Sequence, residues 1–306
     1  MDAAGRLLVE SYHYRAHEPP SWERPAPREQ PQRWGGFYES SGDSQQSSAE
    51  ILAYAALWRV AVGKFRFDVV VSPRYARQGM GRRLFELVIH EAKRADAVTL
   101  QARACDNSVE TLAFLARRGF VETMRMRGFV LDLTAVDTSS PITATDLATL
   151  PGVSAAAVSP MQITDPGFWN KLVDLQEAAR EGWPDPDPGG PVVRAQAIEL
   201  RSMLMPSAEP PIAFFVASHR DQFVGYSALI RRRATTEAQF AATAVRPGLR
   251  GRGLGTALRA RCLAVARAAG YDTVHSASGN DALIRINARF GFRETHCEVR
   301  FVRRLQ

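Results

Sequence analysis

The chain has 306 residues, 45% of them apolar, enough for two domains with ordinary cores. Its formal charge of +7 points first to an anionic partner. No apolar run approaches the roughly 20 residues that a membrane-crossing helix needs, and three cysteines without CxxC spacing exclude a disulfide framework. The start, MDAAGRLLVESYHYR, carries acids and a Tyr-His cluster where a secretory leader has a basic end and an apolar stretch, so no leader is expected and the expected location is cytoplasmic. His13 and His17 have no cysteine at ligand spacing, so no metal is expected.

Residues 5–14 read as a first strand. The segment 18–35 holds Pro19, Pro20, Pro25, Pro27 and Pro31, and proline lacks the N–H that a helix interior needs, so no long helix is expected there. The polar run 40–48 reads as a hairpin loop or disorder. Strands are expected at 50–60 and 65–72, followed by a proline, a basic glycine-rich turn, and a helix whose Met80, Leu84, Leu87 and Val88 form an inward stripe. After it come a strand at 97–102, a helix at 107–117, an extended stretch at 120–132 and a linker at 134–141. Phe168, Leu172 and Leu175 then have helical spacing, the proline-rich run 181–190 breaks that helix, and a second helix is expected at 193–204. Strands at 211–217, 222–232 and 238–245 complete the approach to a second glycine-rich turn.

That turn repeats the first. Val71, Pro73, Gly79, Gly81 and Leu84 have the counterparts Val245, Pro247, Gly253, Gly255 and Leu258. The first turn of a helix leaves backbone N–H groups unpaired, and glycine lets a phosphate approach them, so a strand, a glycine-rich turn and a helix can make an anion site. Arg250 and Arg252 add positive charge to the second loop, and Leu254, Leu258, Cys262 and Val265 give its helix an apolar stripe. One such turn is more often an ordinary tight turn than a ligand site. Its recurrence in register argues for duplication, which preserves structural turns as well as binding ones. The segment from Asp106-Asn107 to Arg118-Gly119-Phe120 has its counterpart in Asn280-Asp281 to Phe290-Gly291-Phe292. The groups Arg74, Arg77, Arg82, Arg83 and Arg246, Arg250, Arg252, Arg259, Arg261 accompany the two loops and account for much of the positive charge, so nucleic acid is not expected as a partner.

In these motifs each half resembles the Gcn5-related N-acetyltransferase (GNAT) superfamily, over residues 45–130 and 140–306, and the whole is similar to two-domain bacterial members, mycothiol synthase among them. The resemblance implies an α/β (α+β) fold of two tandem domains, each a mixed, largely antiparallel central sheet flanked by helices. The N-terminal domain would span 1–133, abbreviated and degenerate, and a catalytic C-terminal domain would span 142–306. The family's Q/R-x-x-G-x-G/A loop holds the pyrophosphate of acyl-coenzyme A. Arg250, Gly253 and Gly255 match it in full, whereas the first half has Gly79 and Gly81 but Ala76 at the leading position, with Arg77 and Gln78 beside it. The implied cofactor contacts are Ala244, Val245, Arg250, Gly251, Arg252, Gly253, Leu254, Gly255, Thr256, Asn280 and Asn287, and in the first half Val71, Arg77, Gln78, Gly79 and Gly81.

Acetyl-CoA is the implied co-substrate and a small-molecule amine the implied acceptor, with a backbone N–H near Val245 polarising the thioester. Many members protonate the leaving thiolate with a tyrosine four residues before a Gly-Phe pair, and here Asn287 and Leu115 hold that position. Asparagine is no acid, although it can hydrogen-bond the departing sulfur. Asn280 and Asn287 are expected to face the cofactor, and Asn280 equally reads as the cap of the helix after it. Glu237 is the candidate general base, with His275 and Ser276 nearby, and Asp185 and Asp187 are expected to line the acceptor opening. The function implied is an acetyl-CoA-dependent N-acetyltransferase acting on the primary amine of a small molecule. The alternatives are a mycothiol-synthase-like enzyme and a non-catalytic acyl-CoA-sensing or protein-interaction module.

Overall fold

A computed structural model describes residues 33–39, 50–135, 150–180, 187, 196–205, 209–232 and 236–305. The expected first strand at 5–14, the polar run 40–48, most of the linker, Trp183 and Asp185 lie outside the described residues. The chain forms two compact units, one of residues 1–124, 186–193 and 299–306, the other of 125–185 and 194–298. These units differ from the expected halves: residues 125–132 fall in the second, while 186–193 and the end of the chain fall in the first.

In the first unit β1 (Arg33–Glu39), β2 (Glu50–Ala61) and β3 (Lys64–Val71) are antiparallel neighbours. The chain then runs through α1 (Met80–Arg94) to β4 (Thr99–Cys105), which is parallel to β3 from Lys64↔Thr99 to Arg66↔Gln101. After α2 (Val109–Ala116) comes β5 (Val121–Asp132), and residues 299–304 lie between β4 and the start of β5. Strand alternation sends Ala53, Ala55 and Leu57 to the main core and Tyr54, Ala56 and Trp58 to a second cluster on the other face. Leu84, Phe85, Val88 and Ala92 of α1 pack on that main core, with the Phe85 ring 5.6 Å from Phe67 and 6.0 Å from Phe120. Leu87, predicted to face inward, is 42% exposed, because the stripe turns through Phe85 instead.

The second unit holds residues 125–132 of β5, then β6 (Val153–Ala157), α3 (Pro160–Thr164), α4 (Pro166–Ala179), α5 (Ala197–Leu204), β7 (Ala213–His219), β8 (Gln222–Arg231) and β9 (Glu237–Val245). It continues with α6 (Leu254–Ala268), β10 (Thr273–Ser278), α7 (Asp281–Arg289) and β11 (Arg293–Arg304), of which 293–298 belong here. Its strand order is β11-β5-β10-β9-β8-β7-β6. The β5–β10, β9–β8, β8–β7 and β7–β6 pairs are antiparallel, and β9–β10 is parallel. Its helix starts carry strong local signals. Ser159 and Gln162 form a capping box and Asp165 caps α4, each followed by a proline in the first turn.

One feature of the topology positions the site. The parallel pair has the rungs Thr273↔Glu237, Val274↔Ala238 and His275↔Gln239, while β9 stays paired with β8 as far as Gly225↔Val245. The two strands therefore part after Gln239 and His275, opening a gap along the far half of β9. A shift in register between Ala228 and Leu229 sharpens the bend at the same level.

Candidate functional site

The gap leads to the glycine-rich loop. Beyond Val245 the chain makes one 3-10 turn at Pro247–Leu249, passes through Gly251 at φ 73° and Gly253 at φ 85°, and enters α6 at Leu254. No side chain caps α6, so the N–H groups of its first turn remain available. A Cβ placed on Gly253 would meet nothing within 4 Å, which leaves open space in front of those groups. An uncapped helix start facing open space, with Arg252 exposed beside it, fits an anion such as a pyrophosphate. Leu254 and Thr256 are buried and can offer only their backbones, and a Cβ on Gly255 would sit 3.6 Å from Val245 Cγ2. Arg250 is a clamp as well as a charge: Nε donates to Val245 O at 3.1 Å and Nη2 to Ala179 O at 3.0 Å.

The first loop has the same shape. A 3-10 turn at Pro73–Tyr75 precedes Arg77 at φ 64°, Gly79 at φ 85° and ψ −9°, and an uncapped α1. Gly253 has the same φ and ψ as Gly79. Arg77 occupies the left-handed region where the second loop has Gly251, a conformation disfavoured for a side-chain-bearing residue. Ala76 stands where Arg250 forms its clamp, so the two loops differ in their fastening and not in their fold.

Asn280 takes the capping role that is its other reading, and Asn287 is turned into the interior of the unit. Asn280 Oδ1 accepts from the N–H groups of Ala282 at 2.9 Å and Leu283 at 3.3 Å, which is the capping role. Asn287 is fully buried: its Oδ1 accepts from Arg259 Nη2 at 2.7 Å and its Nδ2 donates to Ser276 Oγ at 3.3 Å. Both ends of the amide are committed inside the unit, so Asn287 presents no accessible group to a ligand. Arg259, grouped by sequence with the loop's positive charge, is 2% exposed. Its Nη1 donates to Thr243 Oγ1 at 3.3 Å, its Nη2 also reaches Ser276 Oγ at 3.0 Å, and its guanidinium lies 3.5 Å over the Phe240 ring. Burial draws its pKa down to about 9.

Glu237 begins β9, and its carboxylate is 2.9 Å from His275 Nε2 and 3.4 Å from Arg232 Nε. Burial, then the Arg232 charge, hold His275 below the usual histidine range, against the pull of Glu237. This cluster sits on the paired end of β9, eight residues or roughly 26 Å along the strand from Val245. Glu237 pairs with His275 and Arg232, whereas Asn287 is held by Arg259 and Ser276. Asp187, expected on an acceptor wall, is 2% exposed and belongs to the first unit. Its carboxylate lies 3.3 Å from Lys64 Nζ and accepts from Thr99 Oγ1 at 3.1 Å. A buried lysine at the first β3–β4 rung needs a counter-charge, and Asp187 supplies it.

Sequence reasoning overlooks the polar line under the gap. Ser227 and Thr243 hydroxyls lie 2.9 Å apart on the face that Arg259 reaches, while on the opposite face of β8 Tyr226 donates to Gln176 Oε1 at 2.9 Å. Arg259 was legible in principle, since it falls four residues after Gly255 and three before Cys262 on the inward face of α6. Cys262 packs in the core as expected, its thiol pushed up to about 12 by burial.

The acetyltransferase (GNAT) family model matches residues 170–292, and an acetyltransferase (GNAT) domain model matches residues 44–129. Among solved structures, a GCN5-related N-acetyltransferase from Sphaerobacter thermophilus superposes with a TM-score of 0.65 at 18% identity, covering 83% of this chain and 77% of that one. A tandem GNAT protein from the clavulanic acid biosynthesis pathway, solved without AcCoA, gives 0.63 at 22% identity over 85% of this chain and 81% of that one. A GCN5-related N-acetyltransferase from Kribbella flavida gives 0.52 at 15% identity over 82% and 86%. At these identities the likeness is one of fold. Among the curated proteins there is no match. Among the described residues no group of His, Cys, Asp and Glu could hold a metal ion, and no helix is long and apolar enough to cross a membrane.

Proposed function

Because the chain belongs to the acetyltransferase (GNAT) family, with two such domains in tandem, we propose that it is an acetyl-CoA-dependent N-acetyltransferase whose second unit acetylates the primary amine of a small molecule. The observation that carries this reading is the uncapped start of α6 behind Gly251 and Gly253, fastened by Arg250. The backbone N–H groups from Leu254 to Thr256 would receive the pyrophosphate, with Arg252 adding charge. Val245 would hold the pantetheine arm along the strand edge that β10 leaves open, whereas the Ala244 backbone, paired with Tyr226 of β8, faces away from that edge.

Acetyl-CoA supplies an activated acyl group as a thioester. Arg246 N–H donates to Val224 O, so the alternation of the strand turns the N–H and C=O of Val245 away from β8. The Val245 carbonyl accepts from Arg250, and its N–H remains as a donor to the pantetheine arm. Glu237 enters through His275: a half-exposed carboxylate–imidazole pair, with the imidazole held toward its neutral form, can take a proton from an ammonium through water. The first unit keeps the loop shape but has Ala76 and Leu115 in place of Arg250 and Asn287, which supports an anion-holding or structural role for it and turnover in the second.

Release of coenzyme A thiol from acetyl-CoA on addition of a panel of small amines tests the reading. Amine-dependent release abolished by Gly253→Val is the expected result. Tight acetyl-CoA binding with no release for any amine would favour the sensing module instead.

A further inference from the structure

The second unit buries a cation with no carboxylate partner. Among the described residues, every hydrogen bond of the Arg259 guanidinium goes to a neutral oxygen, of Thr243, Ser276 or Asn287, and its Nε has no partner. Burying such a charge is costly, and an apolar replacement of similar size is often neutral or stabilising. The molecule contains that replacement. Counting from matched glycines and matched strand rungs, Arg259 corresponds to Phe85, Thr243 to Val69, Ser276 to Ala102, Asn287 to Leu115 and Ser227 to Ala55. The aromatic floor is kept, with Phe67 and Phe120 in the first unit answering Phe240 and Phe292 in the second. The same fold therefore forms around an apolar interior or a cationic one, and the cationic one is not there to make the fold.

Its position indicates what it is for. Ser276 is the first β10 residue past the last rung with β9, at the vertex of the gap, and Thr243 lies on the stretch of β9 that pairs with β8 but not with β10. Arg259 reaches both from α6. Ser276 Oγ accepts from Arg259 Nη2 and from Asn287 Nδ2, so both of its lone pairs are engaged, and it donates its own proton to no described residue. A hydroxyl that accepts from a cation and an amide is polarised as a donor.

Resting on the acyl-CoA reading above, we infer that Ser276 is the hydrogen-bond donor to the anionic sulfur released in the second unit, and that Arg259, held by Asn287 and Thr243, is the positioning residue that polarises it. As the acceptor nitrogen forms its bond to the acyl carbon, the acyl C–S bond breaks and the sulfur keeps the electron pair. It is held as a thiolate by the Ser276 hydroxyl in the field of Arg259, and takes its proton afterwards from solvent. Neither Ser276 nor Arg259 loses a proton. The ionisable neighbours do not compete. Cys262 on α6 is a neutral thiol below about pH 12, His275 alternates to the opposite face of β10 and pairs with Glu237, and Asp281, Arg285 and Arg289 of α7 are exposed.

The test is the titration of coenzyme A bound to the full chain, followed by the ultraviolet absorbance of its thiolate below pH 9, against the ligand-free chain and free coenzyme A. The bound thiol is expected to titrate about one pH unit below the free one, a tenfold gain in thiolate. Ser276→Ala should abolish that shift while leaving the affinity for desulfo-coenzyme A within about twofold, and Arg259→Lys should retain part of it. A bound thiol that titrates like the free one, or a shift that survives Ser276→Ala, overturns the inference while desulfo-coenzyme A binding leaves the acyl-CoA reading standing. Failure of both coenzyme A and desulfo-coenzyme A to bind overturns both.

Discussion

Arg250 and Ala179 are joined across the mouth of the second loop, the guanidinium of one donating to the carbonyl oxygen of the other at 3.0 Å, while the same side chain holds Val245 at 3.1 Å. The arginine of this loop thus fixes the end of β9 and the end of α4 in one geometry. Arg250→Ala should weaken acetyl-CoA binding by about tenfold through loss of loop order as well as charge, since each lost hydrogen bond is worth about 0.5–1.5 kcal/mol. Arg250→Lys should restore little, because an ammonium cannot make both contacts from one planar fork. Calorimetric titration of the two variants decides it, and a lysine variant with full affinity would reduce Arg250 to a simple charge.

The matched glycines allow a paired comparison. Gly253→Val and Gly79→Val each force a β-branched residue to φ 85°, and neither new Cβ would meet a neighbour within 4 Å. Both should therefore cost about 1–3 kcal/mol of stability through the backbone alone. Only the valine at position 253 should also abolish tight acetyl-CoA binding. Loss of binding from the position 79 variant alone would move the main site to the first unit.

Asn287 is expected to behave as a buried partner of a cation. Asn287→Ala removes an acceptor at 2.7 Å from Arg259 and should cost about 1–3 kcal/mol in denaturant unfolding. Arg259→Phe combined with Asn287→Leu, the residues of the first unit, should recover most of that stability. Non-additivity of this kind is the signature of one polar cluster, and simple additivity would argue against it.

The repeat made much of this legible in sequence. The two glycine-rich turns, the helices behind them and the strands ahead of them follow from apolar spacing and from Gly253 and Gly79, whose left-handed conformation only glycine adopts cheaply. β6 is absent from the sequence reading because Val153-Ser154-Ala155-Ala156-Ala157 has no apolar alternation to detect. The exchange of 125–132 and 299–306 between units is equally silent, since pairing partners are not encoded in a strand's own pattern. At the site, the sequence marks Asn287 at the tyrosine position, but it groups Arg259, the cation that claims it, with the charge of the anion loop. Residue type suggests exposure for arginine, and only three-dimensional placement overrides that prior.

His275 gives a pH dependence with a definite sign. Burial and Arg232 hold its folded-state pKa below the unfolded value, so the unfolded chain binds the proton more readily. Its contribution to stability is complete above the unfolded histidine pKa of about 6.5 and is lost as pH falls through the lower folded value. His275→Gln should flatten this part of the stability profile below about pH 6.5, as read from urea midpoints at successive pH values. An unchanged slope in the variant would assign the acid loss elsewhere.

Asp187 separates two readings of the same residue. Sequence places it on a wall that attracts a cationic amine, whereas the structure buries it with Lys64 and Thr99 in the first unit. Asp187→Asn keeps the shape and removes the charge, leaving Lys64, 6% exposed, without its counter-ion. The loss should be about 3–5 kcal/mol of stability in the first unit, because a buried charge stripped of its partner retains its desolvation cost. Lys64→Met with Asp187→Leu should be less damaging than Asp187→Asn alone, since both charges then leave together. The Michaelis constant for an amine acceptor should stay within about twofold of the wild type, below the 0.6 kcal/mol scale of thermal energy. A stable Asp187→Asn protein with a Michaelis constant raised tenfold or more would return Asp187 to the acceptor side and displace the ion pair as the reason for its burial.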